Sequence, residues 1–379
     1  MKKLGLYIHI PFCLKKCAYC DFYSITHTSE AERKYIGALC SHIKAESHLY
    51  KDCEFDTVYF GGGTPSILSP ALFSELADCI KNSLNLTQGA EFSIEANPGT
   101  LTKEKLIAYK NGGVNRLSIG LQSADSKMLS CLGRVHSLSQ FEESFRLARA
   151  CGFDNISVDV MYGLPSQKTE DFLKTLDYVC EFNPEHISAY CLKIEENTPF
   201  GKVKDTLSLP SEEQEYEMYM SLCHFLSQKG YEQYEISNFA KSGYRSRHNL
   251  KYWLSQEYIS FGPASHSYFE GVRYFYPKDI NAYISESTAG VPTRISEEMA
   301  EPDLKMEKMD EYVMLKLRLS DGISETEFFA LFGTELTEEY PQLENFVKSG
   351  HVSHKNGVFS FTPQGFFVSN YILTSILHF

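Results

Sequence analysis

No apolar run in this chain approaches the roughly 20 residues that a membrane-spanning helix needs. The basic start Met1-Lys2-Lys3 is followed by a run too short for a secretory leader, and that run ends at Pro11 and a cysteine cluster. An excess of positive charge is also missing. Lys and Arg number 36 against 49 Asp and Glu, for a net charge of −13. Nucleic-acid backbones, which ask for clustered cations, are therefore not the expected partner. No repeat of fixed period occurs, and no second CxxC pair accompanies the first cysteine cluster. Without leader or span, the chain is expected to be cytoplasmic, where thiols stay reduced. Eight of the eleven cysteines have no ligand spacing and read as small buried hydrophobes.

The other three lie within eight residues, as Cys13-x3-Cys17-x2-Cys20, directly after Leu6-Tyr7-Ile8-His9-Ile10. Three thiolates can hold a four-iron cubane and leave one iron open to an outside ligand. The alternative is a zinc site completed by His9 or Asp21.

Short β-rich runs alternate with amphipathic helical stretches. Strands are expected at Gly5–Ile10, Thr57–Phe60, Glu91–Glu95, Arg116–Ile119, Ile156–Val160, His186–Cys191 and Tyr231–Ile236. This alternation predicts an α/β fold, a partial (β/α)6 TIM-like barrel, with a doubly wound sheet as competitor. Three divisions are expected. Residues 1–241 form the barrel, and 242–303 an irregular aromatic-rich connection packed on it. Residues 304–379 form a small α+β winged-helix-like domain, with an acidic linker at Ser296–Glu311. Asn356-Gly357 marks a hairpin turn in that domain.

In a β/α fold the reactive groups gather at the C-terminal ends of the strands. Gly61-Gly62-Gly63-Thr64-Pro65 ends the second strand, and glycines there permit close approach of a ligand to exposed N–H and C=O groups. Glu95 closes the third strand, Gln122 and Arg134 follow the fourth, and Asp159 lies in the fifth. Each alone reads as a cap or surface residue. Together they suit a zwitterion and a ribose, with Arg for carboxylate, Glu for ammonium, and Asp and Gln for hydroxyls.

The cysteine spacing, the GGGTP turn and these acceptors resemble the radical S-adenosylmethionine (SAM) superfamily. Tyr7–Cys13, Phe60–Ser66, Gly113–Ser118 and Leu132–His136 resemble, more narrowly, its oxygen-independent coproporphyrinogen III oxidase group. The resemblance extends over nearly the whole chain, including a HemN-like C-terminal domain. It implies a [4Fe-4S] cluster on Cys13, Cys17 and Cys20. It places Tyr7, Tyr19, Gly62, Gly63, Thr64, Glu95, Gln122, Arg134 and Asp159 around SAM.

Two departures bear on activity. Phe22 stands where the oxidases place a further cysteine, and six residues precede Tyr7 where they carry a longer segment. Both weigh against decarboxylation. Cys20-Asp21-Phe22 and the HNxxYW motif His248–Trp253 are similar to the heme chaperone (HemW) branch. That likeness implies heme held by His248, Tyr252 and Trp253, the only tryptophan, with His266 as a second ligand candidate. Arg245 and Arg247 are candidates for the propionates. The implied function is delivery of heme to an acceptor, such as a respiratory protein at the membrane, by a monomer or a cofactor-dependent homodimer. The rival readings are a radical SAM enzyme acting on a porphyrin, by decarboxylation or heme-ring opening, and a catalytically silent scaffold.

Overall fold

A computed structural model of the chain describes residues 1–296 and 304–378. Six parallel strands form the centre of one twelve-stranded sheet: β1 (Lys2–Ile10), β2 (Cys53–Gly62), β3 (Leu86–Ala96), β4 (Arg116–Gln122), β5 (Ile156–Tyr162) and β6 (His186–Cys191). Consecutive strands are neighbours, and helices α1 (Ser29–Glu46), α2 (Pro70–Ser83), α3 (Lys103–Gly112), α4 (Leu138–Ala150) and α5 (Thr169–Glu181) cross between them. The curled sheet does not close, so the expected partial six-unit barrel is what forms.

Side chains alternate across a strand, and here the alternation sorts chemistry. Leu6 and Ile8 of β1, Val58 and Phe60 of β2, Leu117 and Ile119 of β4, and Val158 and Val160 of β5 are fully buried apolar residues packed in the core with the helices. Each such side chain contributes about 1.5–3 kcal/mol by leaving water. The intervening positions carry polar residues: Tyr7, Tyr59, Ser93, Glu95, Arg116, Ser118, Asp159 and Ser188. The parallel register brings them together, pairing Tyr7 with Tyr59, Ser93 with Arg116, Glu95 with Ser118 and Asp159 with Ser188.

Two expectations need correction. The strand placed at Tyr231–Ile236 is instead two short antiparallel pieces, Glu232–Gln233 and Asn238–Ala240, and the second pairs with β6. The described part of the segment 242–303, residues 242–296, is not irregular. Tyr258–Phe261 pairs in parallel with β1, and His266–Phe269, Val272–Phe275 and Ile295–Ser296 extend the sheet beyond it. These strands are four residues or shorter, and Gly262-Pro263 interrupts any pattern that would announce them. Pairing with β1 anchors Tyr258–Phe261, and the Tyr, Phe, Ile and Val content of these short strands suits a sheet.

The acidic linker expected at Ser296–Glu311 lies partly outside the described residues. From Leu304 to Lys316 the chain is helical. Further helices and a three-stranded sheet follow, in which Val352–Lys355 and Val358–Phe361 form an antiparallel hairpin. Its turn has positive φ at Asn356 and Gly357, as the Asn-Gly dipeptide predicts. Among the described residues no helix is long and apolar enough to cross a membrane.

Candidate functional site

A cavity of about 860 Å³ occupies the barrel interior and opens at the C-terminal ends of the strands. That is within the range of small-molecule and cofactor sites. Cys13, Cys17 and Cys20 line its rim, each half-buried. A small separate apolar cluster fixes their loop. Ala18 and Tyr19 pack against Leu132, Met161, Leu164, Leu192 and Phe200. The N–H of Ala18 donates to the Leu132 carbonyl at 3.0 Å, and the N–H of Phe200 donates to the Ala18 carbonyl at 2.9 Å. Arg134 Nη1 lies 3.6 Å from Cys17 Sγ, and Thr64 Oγ1 lies 3.5 Å from Cys13 Sγ.

Among the described residues, no three His, Cys, Asp or Glu side chains converge on one ion position. A single zinc requires that convergence. A cubane does not, because its thiolates bind different irons. His9, the fourth zinc ligand considered above, has both ring nitrogens occupied. Nδ1 bonds Tyr7 Oη at 3.1 Å and Nε2 bonds the Tyr23 carbonyl at 3.0 Å.

The glycine turn works differently from expectation. Its N–H groups are not open to a ligand. Gly62 donates to Glu95 Oε2 at 3.2 Å, Gly63 to the Ile10 carbonyl at 2.8 Å and Thr64 to the Phe12 carbonyl at 2.7 Å. The need for glycine is close approach of two backbones. A Cβ on Gly63 would stand 2.6 Å from the Phe12 carbonyl oxygen. The turn therefore buttresses the segment that leads into Cys13.

Above the floor, the expected acceptors do converge. Tyr59 Oη donates to Glu95 Oε1 at 2.9 Å. Burial pushes the Glu95 carboxyl up to about 7, with Asp159 adding to the rise. Asp159 is also raised by burial, against hydrogen bonds from Ser188 and Ser118. Arg134 Nη2 donates to Asn97 Oδ1 and to the Gly120 carbonyl, both at 2.6 Å. Gln122 lines the cavity beyond a bulge in β4 and has φ of 72°, a conformation that costs energy for a non-glycine residue. Tyr7, Tyr19, Gly62, Gly63 and Thr64 complete the wall.

The heme trio is not brought to one face. His248 is 1% exposed. Its Nδ1 bonds Thr57 Oγ1 and its Nε2 bonds Tyr252 Oη, both at 2.8 Å, and its ring stacks on Tyr59. Burial pushes it down to about 3, so it is neutral. Only Tyr252 of the three lines the cavity, while Trp253 lies under Arg318 of the C-terminal region. His248 thus packs the barrel base and is not presented to an iron. His266 is exposed at the cavity rim. Arg245 pairs with Asp321, and Arg247 donates to the Gly89 and Asp56 carbonyls, so both candidate propionate partners are engaged within the protein.

Sequence reasoning missed Tyr59, Asn97, Arg116, Ser118 and Ser188, which also line the cavity. The signal was present as polar residues at every second position of Arg116-Leu117-Ser118-Ile119 and Ser157-Val158-Asp159-Val160.

Residues 7–179 match the radical SAM superfamily model, and residues 305–368 match that of the HemN C-terminal domain. The chain is 35% identical over 376 residues to the heme chaperone HemW of Bacillus subtilis (strain 168), covering 98% of each. It is 33% identical over 378 residues to HemW of Escherichia coli (strain K12), covering 99% of this chain and 98% of that protein. Coproporphyrinogen III oxidase (HemN) from Escherichia coli, a radical SAM enzyme, superposes with a TM-score of 0.85, over 98% of this chain and 89% of that one. At 22% identity this likeness shows the shared fold.

Proposed function

The chain belongs to the radical SAM superfamily and, within it, to the HemW heme chaperone family, and from that premise we propose that it holds heme and passes it to an acceptor protein. The observation that carries the proposal is the match to curated heme chaperones along 98% of the chain. Family membership implies a [4Fe-4S] cluster and SAM.

The residues fit both groups. Three half-buried thiols share the rim of a cavity lined by carboxyl, amide and guanidinium groups. Cys13, Cys17 and Cys20 would hold the cluster. Tyr7, Tyr19, Gly62, Gly63, Thr64, Glu95, Gln122, Arg134 and Asp159 would surround SAM. When bound, the pair would supply one-electron reductive chemistry. The chain's own contribution is orientation and charge. A carboxyl held near neutrality by burial, as Glu95 is, ionises readily when a cation arrives beside it. Asn97 and the Gly120 carbonyl fix the Arg134 guanidinium over the thiol loop.

In this reading residues 1–241 carry cluster and SAM, strands between 258 and 296 extend the sheet within the 242–303 connection, and 304–379 form the C-terminal unit. Heme enters from the rim, where the exposed His266 ring stacks on Phe275. The acceptor is a separate, membrane-associated protein.

The test is anaerobic. Reconstituted protein is given SAM, reductant and either heme or coproporphyrinogen III. Stoichiometric retention of an unaltered heme is expected, and catalytic turnover of either tetrapyrrole would overturn the proposal. His266→Ala should lower heme retention more than a folded His248 variant does.

A further inference from the structure

Arg116 opens β4 on the inner face of the barrel and is 2% exposed. A buried guanidinium ordinarily has a carboxylate partner, because an unpaired charge away from water costs several kcal/mol. This one has none. Among the described residues, no hydrogen bond or ion pair reaches it, and its buried Nε has no acceptor. Yet its side chain lines the cavity.

The acids nearby are committed elsewhere. Asp159 accepts from Ser118 at 3.0 and 3.2 Å. Glu95 accepts from Tyr59 and Gly62. Glu91 accepts the N–H groups of Arg247 and His248, both at 3.0 Å. Glu235 accepts the Ser237 N–H at 3.0 Å. The register partner of Arg116 is Ser93, whose fully buried hydroxyl is also without a partner. One unpaired guanidinium thus faces an open cavity, and the nearest histidines, His186 and His248, are held neutral by burial.

We infer that Arg116 is a receptor for the carboxylate of a ligand that enters the barrel. A planar guanidinium matches a carboxylate in bidentate fashion. That the carboxylate is a propionate arm of a tetrapyrrole rests on the heme reading above. The receptor itself rests on the orphaned guanidinium. It is distinct from the Arg134 position, whose nitrogens are already engaged.

The test uses the reconstituted full-length protein, titrated with hemin and with hemin dimethyl ester, which lacks free carboxylates. Wild-type protein should prefer hemin by about tenfold or more, the worth of a hydrogen bond to a charged group. Arg116→Gln should erase that preference while leaving SAM affinity unchanged, and Arg116→Lys should keep part of it. Equal affinity of the wild type for both compounds, an unaltered preference in Arg116→Gln, or loss of SAM affinity instead would each overturn the inference. Absence of any hemin binding would sink the heme reading separately. The receptor is then read with sodium formate, which should raise the wild-type Tm over chloride at equal ionic strength. The same rise in Arg116→Gln overturns it. Circular dichroism and cluster content confirm that each variant is folded.

Discussion

The rim of the barrel and its floor are built from the same six strands and their loops, but they are held by opposite means. At the rim, three half-buried thiols sit on a loop fixed by a small apolar cluster and a few backbone hydrogen bonds. At the floor, polar side chains are almost wholly buried, and apart from Ser93 and Arg116 they bond one another, as in the Thr57–His248–Tyr252 chain. Ligating groups at the rim can therefore be changed at little cost to folding. Groups at the floor combine shape with charge balance, and each removal leaves a partner unsatisfied.

The largest expected stability effect comes from the floor. His248→Ala removes a stacked imidazole and strands two hydroxyls, which should cost about 2–4 kcal/mol, read as a Tm fall of about 3–5 °C. A loss below about 1 kcal/mol would show that the floor tolerates change as the rim does.

Next comes pH. Burial raises Glu95 to about 7 from an ordinary 4.5. Between those values the folded chain keeps a proton that the unfolded chain has released. Stability therefore falls as pH rises through that window, by on the order of 2–3 kcal/mol for such a shift. Glu95→Gln should flatten that part of the urea-denaturation pH profile. Glu235, also raised to about 7 by burial, should keep the remaining slope. An unchanged profile in Glu95→Gln would remove Glu95 as its source.

Gly63→Ala is a rim substitution that should behave like a floor one. Its Cβ would overlap the backbone of Ile10 and Phe12. We expect a loss of about 1–3 kcal/mol together with reduced iron on reconstitution, measured by metal analysis. Normal iron content would show that the turn does not position the cysteine loop.

Cys20→Ser should have the smallest stability effect, within about 0.5 kcal/mol, while the broad visible absorbance of the reconstituted cluster is lost. A large fall in apo-protein Tm would erase the contrast between the two regions.

The same contrast explains what the sequence discloses. The rim is legible because its ligands are neighbours along the chain. Cys13, Cys17 and Cys20 announce themselves by spacing, and the strand-end residues Glu95, Gln122, Arg134 and Asp159 follow from the β/α alternation. The floor is not legible in that way. Ser93 and Arg116 meet only through the register of β3 and β4, and His248 reaches Thr57 across 191 residues. His248 belongs to a motif whose residue types suit heme, but its burial depends on a helix packing under β2, which no local pattern records. The strands between 258 and 275 were hidden for a related reason, since four residues are too few to display an alternation.

The open interior has one more consequence. An ordinary TIM barrel fills its centre with branched apolar side chains, so altering the lining disturbs the core. Here the apolar load is carried on the outer surface of the strands, and the inner positions are almost independent of it. For protein engineering, this makes the lining an exchangeable insert. Ser118 and Ser188 stay in place to hold the buried Asp159 carboxyl, and the remaining lining positions can be re-specified for a different cargo while the supporting shell stays as it is.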